Sequence, residues 1–275
     1  MQVKRPYTDG KSEQNRRGGL SFVQAQGLGV HVNAMATTRF GGMSQPPYDS
    51  LNLGDHVHDD PVAVRENRTL LRQWLPGEPV WLNQVHGRAV FDADTSLTQQ
   101  DDRSVVPTAD AAVTTLPGRV LAVLTADCMP VVLASEGGEV VGIAHAGWRG
   151  LAEGVLETTV EAMRKKCLEP IKICAWVGPC IGPDAFQVGS EVRARFMETA
   201  AELAIYFSAD PSADGKWLAD LPAIAMWQLE QLGIADARWC GLCTVADTQH
   251  CFYSYRREGH TGRMATLVWI NRLDK

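Results

Sequence analysis

The amino-acid sequence predicts an α/β fold of the mixed α+β kind in a single domain. Hydrophobic residues make up 45% and charged residues 21% of the 275 residues, which is an ordinary globular composition. Short apolar runs typical of strands interleave with amphipathic segments typical of helices, and no low-complexity linker separates them after residue 19. Because one core still accommodates roughly 250–300 residues, we expect one domain over residues 20–275. The order lacks the regular βαβ rhythm of a doubly wound sheet.

The first 19 residues are expected to form a mobile N-terminal tail. They are polar, with few apolar positions, so they have little surface to bury against a core. Their basic residues are Lys4, Arg5, Lys11, Arg16 and Arg17. The segment also lacks the apolar core of a secretory signal, which predicts a cytoplasmic location.

Four helices are predicted from apolar periodicity and from residues that favour helix ends. Asp60 and Pro61 precede a segment in which Val64, Leu71 and Trp74 share one face, so a helix is expected to begin there. The next helix has acidic residues near its start and lysines at its end, which complements the helix dipole. It and the remaining two are predicted at residues 151–166, 190–204 and 221–232.

Six apolar runs bounded by Gly, Pro or Asp are predicted to be strands. The middle runs are apolar throughout, as expected for strands that are buried on both faces. The predicted strands are residues 80–83, 120–125, 131–134, 140–144, 171–177 and 266–270.

The net charge excludes some classes of partner. Lys and Arg number 26 against 32 Asp and Glu, which gives a net charge of −6. Extensive binding of nucleic acid or of an acidic membrane surface requires a positive field, so neither partner is expected. The most apolar stretch, residues 120–134, is shorter than the ~20 residues of a membrane helix and contains Asp127. Seven scattered cysteines, an odd number, indicate reduced thiols.

Three segments each place a metal-capable residue at the end of a predicted strand, where functional side chains concentrate. They are NQVHG with His86, TADCMP with Cys128, and AHAGWRG with His145. Two imidazoles and one thiolate suit zinc, and three protein ligands leave the fourth tetrahedral position open, as in a catalytic site. The Cys ligand also suits copper, so the residue types do not fix the metal. A histidine at a strand end is also common as a hydrogen-bonded core residue.

The same residues allow a hypothesis that needs no metal. His145 follows Cys128 by 17 positions, across a predicted pair of strands. An imidazolium beside a thiol lowers the pKa of that thiol, so Cys128 could serve as a nucleophile activated by His145. The sequence does not separate a ligand from a nucleophile.

Two arginines are candidate anion-binding residues. Arg39 lies in a loop with two glycines (TRFGG), a pattern that is also typical of a structural turn. Arg149 is close in sequence to His145, so its charge is expected beside the metal. Other polar clusters carry weaker signals: His56 and His58 are interpreted as turn and capping residues.

The remaining cysteines are interpreted as buried thiols. Cys240 and Cys243 form an isolated CxxC pair, and a structural zinc site would need Cys174 and Cys180 as well. The two pairs are far apart in sequence, and Cys174 lies in a predicted strand.

Seven motifs in order together resemble the YfiH/PgeF family, the laccase-domain proteins that are also described as polyphenol oxidases and as purine nucleoside phosphorylases. The resemblance covers residues 30–270. The motifs are TTRFGG (37–42), NLGDHV (52–57), NQVHG (83–87), TADCMPVVL (125–133), AHAGWRG (144–150), VGPCIGP (177–183) and SYRREGHTGRMA (254–265). The resemblance implies that His86, Cys128 and His145 are zinc ligands. It also implies a single domain of mixed β-sheets packed together, with helices on the outside.

The resemblance implies several activities, namely phenol oxidation and the phosphorolysis and deamination of purine nucleosides. The residue types of the sequence favour some of these activities over others. A multicopper laccase needs several copper ions and many histidine ligands, whereas this sequence has seven histidines, of which two, His86 and His145, lie in the three segments with candidate ligands. Copper-dependent phenol oxidation would then require metal substitution at an open site. Phosphorolysis and deamination of purine nucleosides both suit one open zinc, because zinc activates water and polarises oxygen.

The leading prediction is therefore a zinc-dependent purine nucleoside phosphorylase for adenosine, inosine and methylthioadenosine, with adenosine deaminase activity. Cys128, His145 and Arg149 are the expected catalytic residues, and Arg39, Gln84 and Arg149 are expected to bind substrate. The partners are then a purine nucleoside and phosphate, and the protein is expected to be a monomer or a small homo-oligomer. Three alternatives stay open: a hydrolase that removes wrong amino acids from peptidoglycan precursors, a copper-dependent polyphenol oxidase, and a metal-free Cys/His hydrolase.

Overall fold

The computed structural model describes residues 14–17, 19–29, 31–95 and 106–271, and these form one mixed α+β domain. Two six-stranded sheets and one three-stranded sheet are present in this part of the chain. The first sheet is ordered β1 (Gln14–Arg17), β2 (Leu20–Gln24), β3 (Val32–Thr37), β15 (Met264–Ile270), β7 (Val120–Thr125) and β4 (Pro79–Val80). The second sheet is ordered β14 (Ala237–Trp239), β10 (Ile173–Val177), β8 (Met129–Ser135), β9 (Val141–Ala146), β6 (Ala111–Thr114) and β5 (Val90–Asp92). The third sheet is ordered β11 (Gln187–Gly189), β13 (Lys216–Ala219) and β12 (Phe207–Ala209).

The helices lie around the sheets, as the sequence predicts. The helix that bears Leu156 and Met163 packs on β9, β6 and β5. The helices are α1 (Pro61–Arg72), α2 (Trp148–Glu153), α3 (Val155–Lys165), α4 (Ser190–Thr199), α5 (Leu221–Gln231) and α6 (Tyr255–Glu258), with a 3₁₀ helix at Ala201–Tyr206.

The two large sheets pack against each other because their central strands are apolar on both faces. In β7, Leu121 and Val123 join the buried cluster shared with the second sheet. The alternate residues Val120, Ala122 and Leu124 join a separate cluster on the other face. This period of two is what a strand imposes on its side chains. A strand buried in this way is expected to be apolar throughout, and the prediction of a strand at residues 120–125 is confirmed.

The structure corrects two predicted helices. The helix predicted at 151–166 is two helices, α2 and α3, which meet at Gly154. Gly154 has φ of 92°, a left-handed conformation that ends one helix and that a side chain would disfavour. The helix predicted at 190–204 ends at Thr199, and the chain then continues as the 3₁₀ helix.

The predicted N-terminal tail is also corrected at its end. Residues 14–17 form β1, which pairs antiparallel with β2 from Gln14 opposite Val23 to Arg17 opposite Leu20. A polar edge strand needs backbone pairing rather than buried side chains, so its composition alone does not reveal it. Residues 1–13 and 18 lie outside the described residues. Among the described helices, none has the length and apolar character that crossing a membrane requires.

Asn67 on α1 organises the loop of residues 43–52, which follows the predicted Arg39 loop. Its side chain is fully buried. Its Nδ2 donates to the carbonyl oxygens of Ser50 (3.1 Å) and Asn52 (2.9 Å), and its Oδ1 accepts the N–H of Met43 at 2.8 Å. One amide side chain therefore satisfies several backbone groups of an irregular loop.

We expect Asn67→Ala to destabilise the protein, because it removes the hydrogen bonds that this buried amide makes to the loop backbone. The free energy of unfolding should fall by about 2–4 kcal/mol, measured in urea. Glu66→Ala, at the exposed neighbouring position, should change it by less than about 0.5 kcal/mol. Equal stability of the two variants would contradict this role of Asn67.

Candidate metal centre

The two sheets bring the three predicted ligands to one place. Cys128 lies in the short connection through which the chain leaves β7 in the first sheet and enters β8 in the second. His145 lies on β9, opposite Pro130 of β8. The segment with His86 is held beside the end of β7 by Gln84, whose Nε2 donates to the carbonyl oxygen of Leu124 at 2.9 Å and whose Oε1 accepts the Leu124 N–H at 2.7 Å.

His86, Cys128 and His145 have the geometry of a metal site. Their ligand atoms all lie within 4.8 Å of one another, and Cys128 Sγ is 3.8 Å from His86 Nε2. Tetrahedral zinc with bonds of about 2.0–2.3 Å places its ligand atoms roughly 3.3–3.8 Å apart, so these residues fit zinc after small adjustments. His86 is exposed, Cys128 is half-buried and His145 is buried. The group therefore opens to solvent on the His86 side, where a substrate could enter.

Asp110 holds two of the three ligands in position. Its buried carboxylate accepts the N–H groups of Val85 (3.2 Å), His86 (2.9 Å) and Gly87 (2.7 Å). It also accepts the Nδ1–H of His145 at 2.9 Å. This bond leaves Nε2 of His145 as the ligand atom, the arrangement in which a carboxylate orients a metal-bound imidazole. Burial raises the pKa of Asp110, but the hydrogen bonds from His145 and Gly87 outweigh it, and the net pKa is lowered.

Cys128 and His145 form a thiolate–imidazolium pair when no metal is bound. Burial raises the pKa of Cys128, but the charge of His145 and hydrogen bonds from both imidazoles lower it to about 6. Burial lowers the pKa of His145, but the Cys128 charge and the bond to Asp110 raise it to about 9. The thiolate needed for metal binding is therefore formed at neutral pH, and His145 must lose a proton to bind an ion.

Gly147 is required by the close approach of the backbone to the three ligands. A Cβ atom there would lie 3.1 Å from His86 Cδ2 and 3.2 Å from Cys128 Sγ. A side chain would therefore press on two ligands at once. The backbone is also unusual at His86 (φ 62°) and at Asp127 (φ 85°), both non-glycine residues in left-handed conformations. Such conformations are uncommon and concentrate at functional sites.

The predicted substrate-binding residues differ in whether their polar groups already have partners within the protein. The Arg39 side chain is 9% exposed and pairs with Glu258 Oε1 at 2.8 Å and with Asp49 Oδ1 at 3.3 Å. The Gln84 amide is engaged with the backbone of Leu124. These contacts favour structural roles for Arg39 and Gln84. Arg149 is exposed on the first turn of α2, with its guanidinium 4.6 Å from the centre of the Trp148 ring, so it stays available to a ligand.

The other cysteines have the expected character of free thiols. Cys174, Cys180 and Cys240 are buried, whereas Cys243 is half-buried. Among the residues that the structure describes, the triad is the one group of three or more His, Cys, Asp or Glu side chains arranged to hold a metal.

Asp110 is the residue of the site that the sequence interpretation missed. It stands directly before β6, an apolar run. It is therefore a polar residue at the end of a strand, as the three predicted ligands are. The run itself, Ala-Ala-Val-Thr, is short and was not predicted to be a strand.

The fold and the site define a single-domain protein with an open group of three side chains that could hold a metal ion. The chain belongs to the YfiH family. A family model described as "Multi-copper polyphenol oxidoreductase laccase" matches residues 33–271.

Two similar curated proteins are both named as phosphorylases. "Purine nucleoside phosphorylase PA4543" of Pseudomonas aeruginosa is 46% identical over 242 residues, covering 88% of this chain and 94% of that protein. "Purine nucleoside phosphorylase YfiH" of Escherichia coli is 45% identical over 241 residues, covering 87% and 94%.

Solved structures have the same fold. Protein NMB0706 of Neisseria meningitidis gives a TM-score of 0.82 at 42% identity, covering 91% of this chain and 99% of that one. YlmD of Geobacillus stearothermophilus gives a TM-score of 0.84 at 30% identity, covering 95% and 99%.

Asp110→Asn should weaken metal binding without removing a ligand. The amide keeps one acceptor oxygen for the four N–H groups that the carboxylate accepts, so His86 and His145 lose their fixed orientation. We expect zinc affinity to fall about 10–100-fold, measured by competition with a chromogenic chelator. Asp236→Asn removes an exposed carboxylate paired with Arg238 and should leave the affinity unchanged. Unchanged affinity in Asp110→Asn would show that Asp110 does not orient the ligands.

The metal-free protein should alkylate at Cys128 with an unusual pH dependence. Because the folded-state pKa of Cys128 is lowered to about 6, the reactive thiolate is present above that pH and is lost as the pH falls through it. The rate of modification by iodoacetamide, followed by peptide mass spectrometry, should therefore reach half its plateau near pH 6. Cys167, whose pKa is raised by burial and by Glu139, is the internal comparator. Zinc should protect Cys128; reaction at an undiminished rate with zinc bound would support the nucleophile hypothesis.

Proposed function

We propose that this protein is a zinc-dependent purine nucleoside phosphorylase that also deaminates adenosine. The observation that carries the proposal is the open His86–Cys128–His145 group, supported by the names of relatives that are 45–46% identical over most of their length. Purine nucleosides are the proposed substrate class, with adenosine, inosine and methylthioadenosine as members.

Zinc is the proposed metal because of the donor set and its surroundings. Two imidazoles and a thiolate with one side open are the ligands of a catalytic zinc, and Asp110 supplies the carboxylate that such imidazoles require. One three-ligand group suits one ion, so the described residues do not fit a multicopper oxidase, despite the description of the family model. When bound, the ion would act as a Lewis acid that polarises an oxygen atom of water or of the substrate.

The residues of the chain account for binding and orientation. His86, Cys128 and His145 hold the ion, so Cys128 acts as a ligand and not as a nucleophile. Arg149 is exposed and lies four residues after His145 in the sequence. It is proposed to contact phosphate, because a guanidinium can donate two parallel hydrogen bonds to phosphate oxygens. In phosphorolysis an oxygen of phosphate bonds to the anomeric carbon as the bond to the purine nitrogen breaks, and the purine leaves as the free base after taking up a proton. In deamination water adds at the ring carbon that bears the amino group, and ammonia leaves.

Cys128→Ala should abolish phosphate-dependent release of purine base. Loss of an outer-shell partner of a metal ligand costs roughly 10–100-fold in metal affinity or activity, and loss of a ligand itself should cost more. The rate of base release should therefore fall more than about a hundredfold. The assay uses zinc-loaded protein with adenosine or inosine and phosphate. Cys167→Ala changes a half-buried free thiol two residues beyond the end of α3 and should keep full activity and metal content.

Two results would contradict the proposal. Base release that needs no phosphate would reject phosphorolysis, and amino-acid release from a mis-made peptidoglycan precursor in its place would favour the editing hydrolase. Full activity of Cys128→Ala would reject the metal centre as the site.

A further inference from the structure

Arg263 stands at the same end of the first sheet as the metal centre. It directly precedes β15, whose first residue Met264 pairs with Thr125 at the end of β7. The chain continues from Thr125 through Ala126 and Asp127 to Cys128. Arg263 and the segment that leads to Cys128 therefore adjoin the paired parts of adjacent strands at the same end of the sheet. The charge of Arg263 interacts with those of Cys128 and Asp127.

A second motif segment is shaped to receive the Arg263 stem. A Cβ atom on Gly54 would lie 2.8 Å from Arg263 Cγ, so a side chain at residue 54 would displace the arginine. The Arg263 N–H donates to Asn52 Oδ1 at 2.9 Å, and the Arg263 carbonyl oxygen accepts the N–H of Leu53 at 3.1 Å. Residues 52–54 thus fix the position of Arg263 through both backbone and side chain.

No carboxylate of the described chain forms an ion pair with the guanidinium of Arg263, although the charges of Cys128 and Asp127 act on it from farther away. Its Nη1 donates to the carbonyl oxygens of Thr261 (2.9 Å) and Gly262 (3.0 Å). Other arginines of this region behave differently: Arg39 and Arg257 both pair with Glu258. An arginine that is held in place without a carboxylate in an ion pair can use its guanidinium to bind an anion.

Two polar side chains near Arg263 are His56 and Asp127. His56 is near enough that the Arg263 charge contributes, after burial, to lowering the pKa of His56. The carboxylate of Asp127 is already engaged, since Oδ1 accepts the Thr244 hydroxyl at 2.6 Å and Oδ2 accepts the Arg256 N–H at 2.6 Å. The charge of the Arg263 guanidinium therefore acts on both the exposed imidazole of His56 and the thiol of Cys128.

We propose that Arg263, with His56 beside it, forms an oxyanion subsite that binds the phosphate co-substrate next to the metal centre. The subsite rests on the proposed phosphorolysis for the identity of its ligand. It complements Arg149, which is exposed on α2, and it takes the role that Arg39 cannot fill while Arg39 is paired with Glu258 and Asp49.

Binding of inorganic phosphate to the zinc-loaded protein, measured by isothermal titration calorimetry, tests the subsite without turnover. Arg263→Gln should raise the phosphate Kd at least about tenfold, and Arg263→Lys, which keeps the charge but not the fork, should give an intermediate value. Arg195→Gln removes an exposed arginine paired with Glu198 on α4 and should match the wild type. Equal phosphate Kd values for wild type and Arg263→Gln would overturn the proposal.

A second variant covers the case in which Arg263→Gln does not fold. His56→Glu places a carboxylate beside Arg263 from a position whose side chain is 57% exposed, so it should neutralise the guanidinium and also raise the phosphate Kd at least tenfold. An unchanged Kd in a folded His56→Glu protein would count against the subsite.

Kinetics separate this proposal from the proposed function. In Arg263→Gln the KM for phosphate should rise at least tenfold, whereas the KM for nucleoside and the phosphate-independent deamination of adenosine should stay within about twofold. Phosphate-dependent turnover with an unchanged phosphate KM would overturn the subsite and leave the phosphorylase intact. Phosphate binding that depends on Arg263, in a protein with no phosphate-dependent turnover, would uphold the subsite and reject phosphorolysis.

Discussion

The geometry of the candidate metal centre depends on one buried carboxylate, that of Asp110. Its side chain has no solvent exposure, and an ionised carboxylate so placed is costly unless its oxygens are satisfied. Three backbone N–H groups of the segment at residues 85–87 and the Nδ1–H of His145 satisfy it. The need to satisfy this charge draws the His86 segment toward β9. The same carboxylate turns Nε2 of His145 toward the other ligands, so folding and ligand orientation have one cause.

The second constraint is the position of Cys128 between the two sheets. β7 belongs to the first sheet and β8 to the second, and Cys128 lies in the connection between them. Side chains from both sheets share one buried cluster, so a shift of one sheet against the other would be resisted by close packing. The sulfur is therefore held by the whole core, while His86 is held mainly by Asp110 and by the contacts of Gln84 with Leu124.

The sequence predicted best the features that depend on long or strongly patterned segments. The strand at residues 120–125 and the beginning of α1 at Pro61 follow from continuous apolar character and from end signals. The three ligands could be selected because each lies in a motif at a strand end. Short strands such as β5 and β6 escaped prediction, since three or four residues show no clear period. The break at Gly154 escaped as well, because amphipathic periodicity continues across a single glycine.

The arginines show why the charge environment of a site must be read from the fold. Arg39 and Arg263 both lie in sequence motifs that contain glycine, and the sequence gives no sign of which arginine forms an ion pair. In the structure, Glu258 approaches Arg39 from α6, more than 200 residues away in sequence, and Asp49 approaches from its own loop. Arg263 meets carbonyl oxygens and the space made by Gly54 instead. Whether a guanidinium forms an ion pair with a carboxylate thus depends on long-range packing, which gives Arg39 two carboxylate partners and leaves Arg263 with carbonyl oxygens.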